Sequence, residues 1–201
     1  MIHTGLVADA LAGSGWASLH DFVPTVTWRA LAAEVHAART VGGLRAAGVG
    51  TGERYRLAGD ERGDQIQWLE PASASGAQQD ALSRFDALRW RLNRELQLGL
   101  FEFESHFALY PPGAAYRRHH DQHRGSQARV LSCVLYLNSD WKAEDEGQLR
   151  LYLDESGPGD YRDVLPEGGT LVCFLSDRFW HEVLPARRER LSLTGWFRRR
   201  S

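Results

Sequence analysis

Two stretches decide the reading: YRRHHDQHRG at residues 116–125 and FWHEVLPARRERLSLTGW at residues 179–196. A strand sends residues i and i+2 to the same face, so His119 and Asp121 can share one centre while His120 points away. His181 follows in a second strand-like run, and Arg190 lies on the run after that. A lone His-x-Asp is common in a chain with 8 histidines, so that pair alone decides nothing. The order is more telling: His-x-Asp, a long β-rich interval, a His on a strand, then an Arg on the next strand. Two neutral nitrogens and one carboxylate suit Fe(II) and leave three coordination positions open. An Arg nearby can grip a carboxylate with two parallel hydrogen bonds. His123 shares parity with His119 only if the strand continues, and Gly125 and Ser126 place it in a loop.

Outward from this centre the period is two. Strands are expected over 101–110, 114–120, 129–138, 148–153, 162–165, 170–175, 179–185 and 190–197. Upstream the period is helical. A short helix over 5–13 shows Leu6 and Leu11. A second runs from a Thr25 or Thr27 cap to about Arg39 and stacks Trp28, Leu31 and Val35. A third covers 78–98, with Leu82, Phe85, Leu88, Leu92 and Leu96 in one stripe and Gly99 as its stop. Between them, residues 45–69 read as two strands joined by a loop. Eight short strands after a helical preamble predict a mainly β protein with N-terminal helices, a sandwich or jelly-roll barrel. His3, His20 and His36 carry no pattern, and His106 reads as a packed or surface histidine.

The flanks of these residues carry a family resemblance. Tyr110-Pro-Pro-Gly precedes Tyr116-Arg-Arg-His119-His-Asp121. Arg129, Tyr136-Leu-Asn, Trp141 and Gly147-Gln-Leu-Arg150 follow. Phe174-Leu-Ser-Asp-Arg178, His181-Glu-Val-Leu-Pro185 and Arg190-x-x-x-Thr194-x-Trp196 close the series, and Arg62-Gly-Asp64-Gln-Ile66-Gln-Trp68 lies upstream. Together they resemble the 2-oxoglutarate and Fe(II)-dependent prolyl hydroxylases of the EGL-nine and SM-20 type, especially their compact bacterial relatives. The resemblance implies a double-stranded β-helix (jelly-roll, cupin-like) core over 101–197. Residues 1–100 would supply helical support and the first strands, in one oxygenase domain spanning 1–201.

By the same resemblance, His119, Asp121 and His181 are catalytic metal ligands. Arg190 and Tyr136 hold the distal carboxylate of 2-oxoglutarate, with Thr194 facing the same interior. Tyr110 lies near the iron and the substrate. Arg62, Asp64, Arg129 and Trp196 line a substrate channel, although Arg62 and Asp64 read equally well as fixing a strand entry. The implied cofactors are Fe(II), 2-oxoglutarate and dioxygen, with ascorbate keeping the iron reduced. The implied partner is a Pro-containing protein or peptide. Two departures limit the transfer. The animal oxygen sensors continue beyond the position of Trp196 into a substrate-holding helix, and the loop from Gly48 to Gly63 does not resemble theirs. Their substrate peptide is therefore not carried over.

Composition narrows the alternatives. A net charge of −2 over 201 residues argues against non-specific nucleic-acid binding, and the arginines at 187–200 read as a solvated tail. Cys133 and Cys173 lie in apolar runs without a Cys-x-x-Cys, so buried thiols in a reducing cytoplasm are expected. No apolar run reaches membrane-spanning length, and no signal peptide is expected. Four other functions remain open. Oxidative nucleic-acid dealkylation shares the metal triad, but a second Arg is usual there where this chain has Trp196. A zinc hydrolase leaves Arg190 and Tyr136 unexplained. An oxygenase acting on another residue or a small molecule keeps every ligand, and a catalytically silent metal- or peptide-binding module keeps only the barrel.

Overall fold

The computed structural model describes residues 4–50, 56–122, 128–154 and 159–200. His123 and the centre of the 48–63 loop lie outside the described residues. Three helices, α1 (Thr4–Ser14), α2 (Thr25–Thr40) and α3 (Gly76–Leu96), precede the long strands. The short strands among them are β1 (Trp16–Leu19), β2 (Arg45–Ala46), β3 (Gly48–Val49), β4 (Arg56–Leu57) and β5 (Gln65–Trp68). There follow β6 (Glu102–Tyr110), β7 (Tyr116–His119), β8 (Arg129–Tyr136), β9 (Leu149–Tyr152) and β10 (Tyr161–Val164). The last are β11 (Leu171–Leu175), β12 (His181–Val183) and β13 (Arg190–Arg198). The eight strands expected after residue 100 are all present, within three residues at each end. No helix among the described residues is long and apolar enough to cross a membrane.

The strands form two facing sheets. The larger has the order β1-β11-β8-β13-β6-β5-β2 and the smaller β10-β9-β12-β7, while β3 and β4 pair with each other. This is the double-stranded β-helix. Strand alternation gives the larger sheet two different faces. Leu109, Leu131, Leu135, Cys173, Leu193 and Phe197 pack against the helices. Ala108, Tyr110, Val134, Tyr136 and Phe174 face the smaller sheet, which contributes Leu149, Leu151 and Val183. The fold therefore has two cores, one under the helices and one inside the barrel.

The helices form because their apolar residues recur at three and four, so each buries one stripe. In α3 the buried residues are Ala81, Phe85, Leu88 and Leu92. Each large one contributes about 1.5–3 kcal/mol of transfer free energy. Ser75 caps α3 by accepting the Gln78 N–H at 3.1 Å.

Several local expectations are corrected. The residue preceding α2 is Pro24, which makes no side-chain cap. Thr27 is inside the helix and donates to Asp80 Oδ2 at 2.6 Å instead, tying α2 to α3. The left-handed residue that ends α3 is Gln97, at φ 53°, two residues before Gly99. In α1 it is Val7, Ala8 and Leu11 that are buried, while Leu6 is exposed, because the stripe starts one position later. The segment 45–69 is divided among β2, β3, β4 and β5 rather than two strands. Cys133 and Cys173, distant in sequence, face each other across β8 and β11 as free thiols with Sγ atoms 3.3 Å apart.

Candidate active site

The barrel interior opens into a cavity of about 360 Å³. Strand register brings the first two functional side chains together: His181 on β12 pairs directly with His119 on β7. Asp121 falls just beyond the end of β7, in a bend rather than in the strand. The ligand atoms of His119, Asp121 and His181 all lie within 4.8 Å of one another. The Nε2 atoms of His119 and His181 stand 3.7 Å and 3.5 Å from the two oxygens of Asp121. Each histidine has its Nδ1 beside a backbone carbonyl, that of Arg117 at 2.8 Å and that of Phe179 at 3.2 Å. A carbonyl only accepts, so Nδ1 carries a proton, and in the neutral ring Nε2 is left with the lone pair that a metal takes.

Electrostatics favour the same state. Burial, and then the neighbouring His181, push the His119 pKa down to about 3, so its ring is neutral at pH 7. Burial opposes ionisation of Asp121, but His181, His119 and a hydrogen bond from Ser132 outweigh it. The carboxyl is held well below the usual carboxylate range. Ser132 Oγ donates to Asp121 Oδ2 at 2.6 Å and is itself 2.8 Å from Ser176 Oγ. The indole N–H of Trp196 adds to the effect without reaching an ordinary hydrogen-bond geometry. Two imidazole nitrogens and an anionic oxygen, converging in a buried cavity, are a fitting donor set for Fe(II).

Arg190 is almost fully buried, at 1% exposure. The side chain of Asn138 sets where β13 begins, since it accepts the Leu191 N–H at 2.7 Å and donates to the Leu191 carbonyl at 3.0 Å. Arg190 Nε then donates to the Gly147 carbonyl at 2.9 Å, and the guanidinium lies between the rings of Tyr110 and Tyr136 at 5.2 Å and 5.1 Å. Gly147 is needed there: its φ is +75°, and a Cβ would come within 2.7 Å of Ala186. Among the described residues, neither Arg190 Nη2 nor the Tyr136 hydroxyl has an ordinary hydrogen bond, although the guanidinium is near enough to act on the phenol. A buried cation beside a buried hydroxyl, both unsatisfied, is a cradle for a carboxylate. Burial pushes the Tyr136 phenol up to about 12 and that of Tyr110 well above its ordinary value, so both stay neutral donors.

The remaining sequence-derived residues divide. Tyr110, Thr194, Trp196, Arg62, Asp64 and Arg129 all line the cavity, whereas Tyr136 is not part of its lining and reaches it only beside Arg190, 5.1 Å from the guanidinium. Thr194 Oγ1 and Ser192 Oγ are 3.1 Å apart. Arg129 pairs with Glu104 at 2.8 Å and lays its guanidinium 3.6 Å over Trp196. Arg62 makes two bonds to the buried Asp64, at 2.7 Å and 3.0 Å. His120 also borders the cavity, with its ring edge-on to Trp180, and is not among the convergent ligand atoms.

Among the wall residues that sequence reasoning missed, three stand out. His106 is buried in contact with Trp68 and Trp196, and burial lowers its pKa to about 4. Its parity with Ala108 and Tyr110 on β6 was the available signal. Trp68 shares parity with Asp64 and Ile66 in the same way. Tyr116 stacks flat on His119, with ring centroids 3.5 Å apart; in the sequence its signal is its place at the head of the Tyr-Arg-Arg-His run.

Comparison with known proteins fits this geometry. A family profile described as the 2OG-Fe(II) oxygenase superfamily matches residues 105–198. A crystal structure of a Pseudomonas putida prolyl-4-hydroxylase is 49% identical, with a TM-score of 0.87, and the match covers 98% of this chain and 100% of that one. A Trichoplax adhaerens prolyl hydroxylase, solved in complex with a hypoxia inducible factor oxygen degradation domain peptide fragment, is 26% identical. Its TM-score is 0.84, and the match covers 98% of this chain and 89% of that one. Human Egl nine homolog 1 is 34% identical over 146 residues, which are 69% of this chain and 33% of that protein. The chain thus spans about a third of the length of that curated relative. With a His-Asp-His centre inside a double-stranded β-helix and a full-length relative at this identity, the chain belongs to the 2OG-Fe(II) oxygenase superfamily.

Proposed function

We propose that the protein hydroxylates a prolyl residue in a protein or peptide, using Fe(II), 2-oxoglutarate and dioxygen and releasing succinate and carbon dioxide. The observation that carries the co-substrate part is the unsatisfied pair of Arg190 Nη2 and Tyr136 hydroxyl in the barrel that holds the triad. The prolyl part rests on likeness to proteins named prolyl hydroxylases, one of them 49% identical over its whole length. When bound, iron with 2-oxoglutarate supplies the oxidative decarboxylation that delivers one oxygen atom of O2 to a C–H bond.

The protein's own groups do the rest. His119, Asp121 and His181 hold the metal, and their backbone and Ser132 hydrogen bonds fix the orientation of the donor atoms. Arg190 grips the distal carboxylate of 2-oxoglutarate, Tyr136 donates to it, and Thr194 lines its path. Tyr110 packs over the Arg190 guanidinium and closes that side against water. Trp196, braced by Arg129, and Trp68, tilted 43° to it, supply an aromatic wall for a pyrrolidine ring. Arg62 and Asp64 border the mouth. Ascorbate is the proposed reductant for iron oxidised in unproductive cycles.

The test is succinate formation by purified protein with Fe(II) in air, with and without Pro-containing peptides, followed by mass spectrometry. A gain of one oxygen on Pro is expected, and His181→Ala is expected to abolish turnover. Oxygen only on another residue type or on a small molecule would refute the prolyl assignment and leave the oxygenase class intact.

A further inference from the structure

A stacked column joins Arg62 and Asp64 to the metal ligand His119 through Tyr116, a residue with no part in the roles above. Asp64, Arg62, Tyr116 and His119 touch in series. The Tyr116 ring lies on the His119 imidazole with 3.5 Å between centroids and 16° between planes. The Arg62 guanidinium lies 4.7 Å over the Tyr116 ring. Asp64, 2% exposed, holds Arg62 from below with two hydrogen bonds. Arg62 Nη1 also donates to the Gly48 carbonyl at 3.3 Å.

The backbone locks the column in register. Arg62 and Tyr116 form an antiparallel bridge. Gly63 N–H donates to the Ala115 carbonyl at 2.9 Å, and Arg117 N–H to the Glu61 carbonyl at 2.8 Å. At His119, the single bond from Nδ1 to the Arg117 carbonyl fixes the tautomer but leaves the ring able to swing about that bond. A flat neighbour on one face restricts the swing, and a cation packed over the ring of that neighbour holds it in turn.

We infer that Tyr116 and Arg62 are positioning residues for the metal ligand His119. Arg62 acts through Tyr116, and its donors to Asp64 and Gly48 are engaged in holding the column rather than in meeting substrate.

This inference rests on the iron-site reading, and metal binding separates the two. The measurement is the affinity of purified, metal-free protein for Mn(II) alone, from the electron paramagnetic resonance signal of the free ion. Wild type binds if the iron-site reading is right, and no binding by wild type overturns that reading itself. Tyr116→Leu is expected to weaken Mn(II) binding tenfold or more, in the range seen when groups orienting metal ligands are removed. Tyr116→Phe, which keeps the stacked ring, is expected to restore the affinity to within about threefold of wild type. The double variant Arg62→Met/Asp64→Leu replaces the ion pair as a unit and leaves no buried charge unpaired. It is expected to lose affinity severalfold with Tyr116 in place, and it carries the test if Tyr116→Leu does not fold. Wild-type affinity in a folded Tyr116→Leu protein, or in the double variant, would overturn the inference. So would a Tyr116→Phe protein as weak as Tyr116→Leu.

Discussion

Arg190→Met is expected to make the protein more stable and less able to hold 2-oxoglutarate. Among the described residues, Arg190 is buried without an ion-pair partner, and its Nη2 has no ordinary hydrogen bond. A buried cation in that state costs several kcal/mol of desolvation. Methionine fills similar space without a charge. The losses are one hydrogen bond to Gly147, about 1 kcal/mol, and the contacts with Tyr110 and Tyr136, about 0.5–1 kcal/mol each. The net gain for protein free of co-substrate is about 1–2 kcal/mol, which is a Tm rise of about 2–8 °C at this chain length. The cost falls on binding. Two charge-assisted hydrogen bonds to a carboxylate are lost at about 1.5–3 kcal/mol each, so the Kd for 2-oxoglutarate rises at least about a hundredfold. Thermal unfolding with Mn(II), with and without 2-oxoglutarate, reads both effects. Wild type gains about 2.7 kcal/mol of stability at a hundredfold excess of ligand over Kd, and the variant gains almost none at that concentration. A lower Tm for the ligand-free variant, or an unchanged thermal shift with 2-oxoglutarate, would refute the reasoning.

Three further outcomes are expected. His106 is buried with Asp64, Arg62 and Arg129 as its charged neighbours, and its pKa is lowered to about 4. The unfolded chain therefore binds the extra proton between about pH 6.5 and pH 4, and stability falls as pH drops through that window. In urea titrations, His106→Met is expected to reduce the stability lost between pH 7 and pH 5 by about 2 kcal/mol; an unchanged loss would show that His106 is not buried neutral. Gly195→Ala puts a Cβ 2.5 Å from Phe103 Cζ and 2.7 Å from the Glu104 carbonyl oxygen, so a destabilisation of about 1–3 kcal/mol is expected in the same assay. Ser132→Ala removes the 2.6 Å hydrogen bond to Asp121, and Mn(II) affinity is expected to fall about tenfold, read by titration with the metal alone.

Much of the fold was legible because its strongest signals are periodic. The alternation at Leu149 and Leu151 places a half-buried strand, and the stripe through Phe85, Leu88 and Leu92 places α3. The triad was legible for another reason: its residue types and order are constrained by coordination chemistry. Terminal detail was not, because Pro24 and Gln97 end helices by backbone geometry to which their side chains give little clue. The segment 45–69 failed differently. Strands of two residues carry too few alternations to register as a period, and β5 is held by β6 from far along the chain. His106 and Tyr116 escaped because each role depends on a tertiary neighbour, the pair of tryptophans for one and the histidine ring for the other.

Strand β13 belongs to both cores at once. Arg190, Thr194 and Trp196 face the cavity, while Leu191, Leu193 and Phe197 face the helices. Its register is set against β6 and β8 together. A slip of one residue would exchange the two sets, thrusting a guanidinium among phenylalanines and leaving leucines around the metal. The slipped strand would also bring a side chain to the place where Phe103 presses on Gly195. The residues that make this protein an oxygenase thus act as proofreaders of its assembly, since the misthreaded barrel is the one in which Arg190 has nowhere to go.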